Sequence, residues 1–113
     1  MAYAGLNKGL TALAAAMTLA ATRAGAAEAL RQELSESQPA LLARIASALP
    51  DMYAKAYRWD FEMREVARFA SEDAASERIY EGAAELFRRL AVDWSGERDE
   101  IAAIEQFLAP LRK

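Results

Sequence analysis

The sequence predicts an all-α protein, a compact bundle of five or six helices around a long, alanine-rich N-terminal helix. Three observations indicate this fold class. The 113 residues include 28 alanines, and alanine has the highest helix propensity. Only three residues are proline, and β-branched side chains, which favour strands, are scarce. Apolar residues also recur at three- and four-residue spacing, as expected when one face of each helix is buried.

Length and residue types restrict both the domain organisation and the chemistry. Residues 1–113 have the size of one domain and are expected to form a single helical unit. Cysteine and histidine are both absent from the sequence, which excludes disulfides, thiolate or imidazole metal sites and any Ser-His or Cys-His mechanism. The 14 basic and 17 acidic residues are well mixed, so no nucleic-acid partner is expected.

The opening segment, LNKGLTALAAAMTLAATRAG, fits three interpretations. A secretory signal peptide has a similar basic start, apolar run and small-residue end, but Arg23 falls where the cleavage region is normally neutral. A membrane span needs about 20 apolar residues. The uncharged run Gly9–Thr22 has only 14. We therefore predict no membrane association and a buried helix over Tyr3–Ala24, ended by Gly25.

This first helix has three distinct faces, none of them strongly charged. One face is an apolar stripe of Tyr3, Leu6, Leu10, Leu13, Met17 and Ala24. A second is a ridge of the small residues Gly5, Gly9, Ala12, Ala16 and Ala20, which allows another helix to approach closely. The third is mildly polar and carries Asn7, Thr11, Thr18 and Thr22. A helix with so little charge is normally surrounded by protein, which is what we predict here.

Capping and turn residues divide the rest of the chain into shorter helices. We expect the second helix over Ala26–Ser35. The third should begin at a Ser37 cap and stop at Pro50, and the fourth should run from an Asp51 cap to Ala70. The fifth is expected over Ala74–Val92, and the last after Ser95-Gly96. The predicted inward residues include Leu42, Ile45 and Leu49, then Met52, Ala56, Trp59, Met63, Val66 and Ala70, then Ile79, Ala83, Leu86, Phe87 and Leu90, and finally Ile101, Ile104 and Leu108.

The first helix also lacks the usual signals of a helix start. Met1–Ala4 offers no capping side chain and no acidic residue. The first charge is Lys8, a cation near the positive end of the helix dipole. Either the helix naturally begins further upstream, or it simply frays at its N-terminus.

Two segments carry a resemblance to a known family. The stretch YAGLNKGLTALAAAMTLAATRAG, followed by a short helix and ALLARIASALPDMYAKAYRW, resembles the C-terminal helical domain of phosphogluconate-dehydrogenase-like NAD-binding proteins. These proteins belong to the β-hydroxyacid dehydrogenase superfamily. The similarity runs from Tyr3 to about Leu90, and its most specific parts are Tyr3–Gly9 and Tyr57–Trp59.

The resemblance implies a function that this chain can serve only in part. Family members carry an N-terminal Rossmann domain that binds NAD or NADP, while the helical domain closes the substrate cleft and forms the dimer interface. This sequence contains no glycine-rich strand-turn-helix fingerprint, so no cofactor is expected to bind to it alone. The catalytic lysine of the superfamily is expected just before Met1.

We therefore expect the C-terminal domain of a cytoplasmic, homodimeric, NAD(P)-dependent oxidoreductase acting on a small hydroxy acid, with no activity of its own. The alternative is a self-standing helical protein-interaction module without a catalytic role. A cleft-lining Lys8 should point into a concavity shared with Asn7, whereas an interaction module would leave that lysine in bulk solvent.

Asn7, Lys8 and Thr11 are the candidate substrate-binding residues. The lysine amine could bind a substrate carboxylate, Asn7 could orient a hydroxyl or carboxylate, and Thr11 lies one turn further along the same helix. The alternative is that Lys8 extends from an exposed helix end, with its aliphatic stem on apolar neighbours.

Tyr53, Tyr57, Arg58 and Phe61 are the candidate interface residues. They wind off the apolar stripe of the fourth helix toward its charged side, where an exposed aromatic ring is typical of a partner surface. The alternative is an aromatic cluster folded over the edge of the bundle.

A row of carboxylates, Glu77, Glu81 and Glu85, suggests metal binding only weakly, because neither a histidine nor a facing carboxylate helix completes a ligand set. We expect no metal site but a solvated face, with Glu85 paired to Arg89.

Overall fold

The computed structural model describes residues 1–112, and these residues form six α-helices and one 3₁₀ turn, with no strand among them. The predicted all-α bundle is confirmed. The helices are α1 (Ala2–Arg23), α2 (Ala27–Ser37), α3 (Pro39–Tyr53), α4 (Ala56–Phe69), α5 (Ala74–Trp94) and α6 (Asp99–Leu108), and the 3₁₀ turn is Ala109–Leu111.

The core lies between α1 and the other long helices. Helices α4 and α5 form an antiparallel hairpin, and α1 contacts each of the other five helices. The ring of Trp59 meets that of Phe87 edge-on, with 5.5 Å between the ring centroids. Fully buried side chains from five helices fill the centre: Leu19, Leu49, Met52, Met63, Phe87, Leu90, Ile104, Phe107 and Leu108.

The first helix is not surrounded by protein, so that prediction is wrong. Its apolar stripe is largely exposed, with Leu6 at 74% and Leu13 at 63% of full accessibility. The buried face combines small residues and threonines instead, namely Gly5, Thr11, Ala12, Ala15, Thr18 and Leu19. The reason is space: a Cβ atom at Gly5 would lie 2.9 Å from Cγ1 of Val66. Only a small side chain permits such a close approach of the helices.

The predicted stop of α1 at Gly25 is confirmed. Gly25 has a φ of 72°, a left-handed conformation that glycine adopts without strain. Its N–H donates to the carbonyl of Thr22 at 3.2 Å, and the N–H of Ala26 donates to Ala21 at 2.8 Å. These two bonds are those of a Schellman motif, which satisfies carbonyls at the helix end.

Pro50 does not end α3, contrary to the prediction. The helix continues to Tyr53 because Met52 and Tyr53 are buried, and their packing outweighs the one backbone bond that proline removes. Asp51 therefore lies inside α3, where its carboxylate pairs with Lys55 at 2.9 Å. Ser37 is likewise not a cap: it is the last residue of α2, and its hydroxyl donates to Glu33 at 2.6 Å.

Of the predicted inward stripe of α4, Ala56, Trp59, Met63 and Val66 are buried. Met52 is buried too but belongs to α3, and Ala70 follows the end of α4 and is only half-buried. In α5 the prediction fails at Ile79, which is 67% exposed because the buried part of this helix begins only at Ala83. Among residues 1–112, no helix is both long and apolar enough to cross a membrane.

Candidate functional site

Lys8 belongs to α1, and its side chain lies at the surface where α1 meets α4. Its Nζ is 2.7 Å from Oε2 of Glu62 and 5.1 Å from the ring centroid of Trp59. The lysine side chain is 20% exposed, so neighbouring residues cover most of it. An ion pair and a cation–π contact of this kind each contribute on the order of 1 kcal/mol. Lys8 is therefore held in place and does not extend into bulk solvent.

Asn7 faces α3, where the guanidinium of Arg44 donates a hydrogen bond to its side-chain oxygen. Asn7 and Lys8 are consecutive, so their side chains diverge by about 100° around the helix. Thr11 is buried, and its hydroxyl donates to the backbone carbonyl of Asn7 at 3.4 Å. The side chains of Asn7 and Lys8 thus contact different helices, and Thr11 is turned inward.

We define the Lys8 site as Asn7, Lys8, Arg44, Trp59 and Glu62. It contains two separate contacts of α1, that of Lys8 with Glu62 of α4 and that of Asn7 with Arg44 of α3. Amine and guanidinium groups donate strong, charge-assisted hydrogen bonds to carboxylates. Lys8 can therefore bind an incoming carboxylate in competition with Glu62.

Arg44 and Glu62 were not identified from the sequence. Each stands on the polar face of an amphipathic helix, where a charged residue is expected whether or not it has a role. Lys8 and Glu62 are 54 positions apart, and no local spacing reports a contact at that distance. Trp59 was identified, but only as a core residue. It is buried, and it also carries Lys8 on its ring.

The four candidate interface residues do not share one surface. Tyr57 and Phe61 are 68% and 59% exposed, and Arg58 beside them is exposed too. We call these three residues the α4 surface. Tyr53, by contrast, is buried, and its hydroxyl donates to Glu105 at 2.6 Å. Burial, followed by that hydrogen bond, raises the pKa of the Tyr53 hydroxyl. Its burial places Tyr53 in the core and not with Tyr57 and Phe61.

A second apolar surface lies on the opposite side of α1. A groove of about 360 Å³ runs between α1 and α5. Leu6, Leu10 and Leu13 line it from α1, and Ile79, Gly82 and Leu86 line it from α5. With the exposed side chains of Tyr3 and Met17, this surface is the α1–α5 face. The Lys8 site and the α1–α5 face thus occupy different sides of the same helix.

The carboxylate row of α5 lies beside arginines. Glu77, Glu81 and Glu85 line a polar depression that also contains Arg64 and Arg88. Within residues 1–112, no group of acidic side chains is arranged to hold a metal ion. The predicted partner of Glu85 is engaged elsewhere, because Arg89 pairs with Glu100 at 2.9 Å.

The fold and the site define an all-helical bundle that has a cationic site on one side of α1 and an apolar face on the other. Residues 21–90 match the family described as a domain of unknown function (DUF1932), and the chain belongs to that family. This domain is found in the C-terminal helical region of NAD-binding, 6-phosphogluconate dehydrogenase-like proteins. A search of curated proteins and a search of solved structures found no match to the chain. The matched segment includes Arg44, Trp59 and Glu62 but begins after Asn7 and Lys8.

Proposed function

We propose that this chain is the C-terminal domain of an NAD(P)-dependent hydroxyacid-dehydrogenase-like oxidoreductase. It supplies one wall of the substrate cleft and the surface on which a homodimer forms, in a cytoplasmic enzyme. The family of the domain supports this assignment. The observation that carries it is Lys8, which Trp59 and Glu62 hold in place next to Asn7.

The residues of this chain do not fit a dinucleotide cofactor. Such a site is built on a strand that leads through a glycine-rich turn into a helix, and residues 1–112 contain no strand. NAD or NADP therefore belongs to a separate Rossmann domain, and this chain alone has no turnover.

The role of the Lys8 site is to bind and orient the substrate. Lys8 binds the carboxylate of a small hydroxy acid, and the side-chain amide of Asn7, whose oxygen accepts from Arg44, donates a hydrogen bond to the substrate hydroxyl. Thr11 holds the carbonyl of Asn7 from inside the bundle and so acts on the position of that residue. Trp59 covers the lysine stem and keeps water from that side of the amine.

Titration with small 2- and 3-hydroxy acids tests the proposal, with backbone and indole NMR signals as the readout. We expect saturable shifts at Asn7, Lys8, Arg44 and the indole of Trp59. Lys8→Met keeps the stem but removes the charge, and it should weaken binding roughly tenfold or more.

Lys55→Met is the matched control, because Lys55 pairs with Asp51, four residues earlier in the chain. It should leave the binding unchanged. If no acid produces saturable shifts, or if Lys8→Met binds as well as the wild type, the assignment of the site is wrong.

A self-standing interaction module is the second candidate function. The observation that favours it is the α4 surface, where Tyr57 and Phe61 are exposed among charged residues. Under this alternative no hydroxy acid binds at Lys8, and the α4 surface carries the contact with a partner.

A further inference from the structure

Helix α2 buries less than any other helix of residues 1–112. Each of the other five helices contains at least four buried residues, whereas α2 contains none. Ala27, Leu30 and Leu34 pack against the core, but each of them remains partly accessible to solvent. An element that buries few apolar side chains opens at a low free energy, well below that of global unfolding. Packing alone therefore holds α2 only weakly to the bundle.

The backbone of α2 has little stability of its own. Neither end is capped by a side chain, and the last turn contains Glu36 and no basic residue, the unfavourable charge for that end of the helix dipole. Left-handed Gly25 before α2, and Gln38 after it with a φ of −142° and a ψ of 59°, separate it from the neighbouring helices. Its 11 residues are fewer than the roughly 12–15 that an isolated helix needs in water. Once detached from the bundle, α2 therefore unfolds.

Arg31 makes the only hydrogen bond between α2 and another helix within residues 1–112. Its Nη1 donates to the carbonyl of Phe107 at 3.1 Å, and its guanidinium carbon lies 5.4 Å from the centroid of the Phe107 ring. That carbonyl belongs to the last turn of α6, where the helix dipole favours a cation. Two favourable contacts of one side chain thus connect α2 to α6, and both are lost when α2 detaches.

We propose that α2 is a strap that opens by local unfolding while the other five helices stay folded, and that the contact of Arg31 with Phe107 determines how often it opens. In the closed form the Phe107 ring is fully buried, and Arg31 lies over it. In the open form this side of the ring is exposed. The inference is independent of the proposed hydroxy-acid site, because no residue of the Lys8 site belongs to α2.

Hydrogen exchange of the full chain, followed amide by amide by NMR, tests this inference. The amides from Leu30 to Gln38 report on α2, since they donate to carbonyls of α2 or of its N-cap. In the wild type their protection factors should be on the order of 100-fold lower than those at the centre of α5. Arg31→Met keeps an unbranched side chain and a similar helix propensity. It should lower the protection of α2 by a further factor of about ten, because a bond from a charged donor is lost, and leave α5 unchanged.

Gln32→Met is the matched control, because Gln32 is exposed on the same helix and donates only to Glu36 of α2. It should change the protection of α2 by no more than about twofold. Equal protection of α2 and α5 in the wild type overturns the inference, since α2 would then open only when the whole chain unfolds. So does an Arg31→Met variant that leaves α2 unchanged, lowers the protection of both helices equally, or acts no more strongly than Gln32→Met.

Discussion

Gly5 is the residue at which α1 comes closest to the helical hairpin. A Cβ atom built at this position would lie 2.9 Å from Cγ1 of Val66 and 3.4 Å from the hydroxyl of Tyr80. Val66 is buried and belongs to the packed face of α4, so it has little room to move. The contact between α1 and the hairpin therefore depends on the absence of one methyl group.

Gly5→Ala should lower the free energy of unfolding by about 1–3 kcal/mol, because the added methyl group overpacks the contact. Urea denaturation measures this change. Gly82→Ala is the control, since Gly82 lies in a helix with open space around it. That variant should be unchanged or up to about 1 kcal/mol more stable, at a protein concentration low enough to avoid association. Equal effects of the two substitutions would show that Val66 moves aside.

The sequence identified some residues of the Lys8 site but not the contacts that they make. Lys8 was singled out as the one charge near the start of an otherwise uncharged segment. The position of its partner, Glu62, depends on how α1 crosses α4, and no local pattern contains that information. The same limit explains the error in α1, because leucines and small residues recur there with equal periodicity. Which set is buried depends on the neighbouring helices.

At the scale of the element, α5 begins where a side chain caps it. Asp73 accepts a hydrogen bond from the N–H of Ser76 at 3.2 Å and another from its hydroxyl at 2.6 Å. The hydrogen bonds from the Ser76 hydroxyl and N–H hold the pKa of Asp73 below its usual 3.8. The predicted start of this helix at Ala74 is confirmed, because an acidic cap is a local signal.

Asp73→Ala should destabilise the protein, and the loss should depend on pH. The folded state lowers the pKa of this carboxyl, so its contribution is complete above the ordinary value of 3.8 and disappears as the pH falls through the lower, folded value. Thermal unfolding of wild type and variant at pH 7 and at decreasing pH measures the difference.

Asp73→Asn is the matched control, since asparagine caps helices about as well as aspartate. It should retain most of the stability at pH 7 and lose the pH dependence. A difference between wild type and Asp73→Ala that stays constant down to the lowest pH would contradict this account.

Helix ends were less predictable where tertiary packing decides them. Gly25 ended α1 as expected, since a positive φ is a local requirement that glycine meets. Pro50 failed as a stop signal because the cost of the proline is small beside the burial of Met52 and Tyr53. Local signals are therefore decisive only where no buried side chain follows them.

At the scale of the whole molecule, two carboxylates fix α6 to the rest of the bundle. Glu100 accepts hydrogen bonds from Arg23 of α1 at 2.7 Å and from Arg89 of α5 at 2.9 Å. Burial raises the pKa of Glu100, but the hydrogen bonds from the two arginines outweigh it and hold the pKa below the usual 4.5. For Glu105, the hydrogen bond from Arg112 lowers the pKa most, against partial burial, and the hydrogen bond from Tyr53 of α3 lowers it further.

Glu100→Gln should reduce the acid sensitivity of the whole fold. A carboxyl whose pKa is lowered on folding stabilises the protein fully above its unfolded pKa, and that contribution is lost as the pH falls through the folded value. The free energy of unfolding of the wild type should therefore decrease below about pH 4.5. The variant should have a lower free energy of unfolding at pH 7 and should lose less of it as the pH falls. Urea denaturation between pH 7 and pH 3 provides the comparison. Parallel curves for both proteins would show that Glu100 does not contribute to the acid response.

Trp59 is placed so that its fluorescence can report on binding at the Lys8 site. Its indole ring lies in the core against Phe87, and on its other side it carries the amine of Lys8. Any molecule that draws Lys8 away from the ring changes the electric field at the indole and hence its emission. The second tryptophan, Trp94, stacks against Arg98 with 3.7 Å between its ring centroid and the guanidinium carbon. A Trp94→Phe background would leave Trp59, at the Lys8 site, as the only tryptophan of this chain.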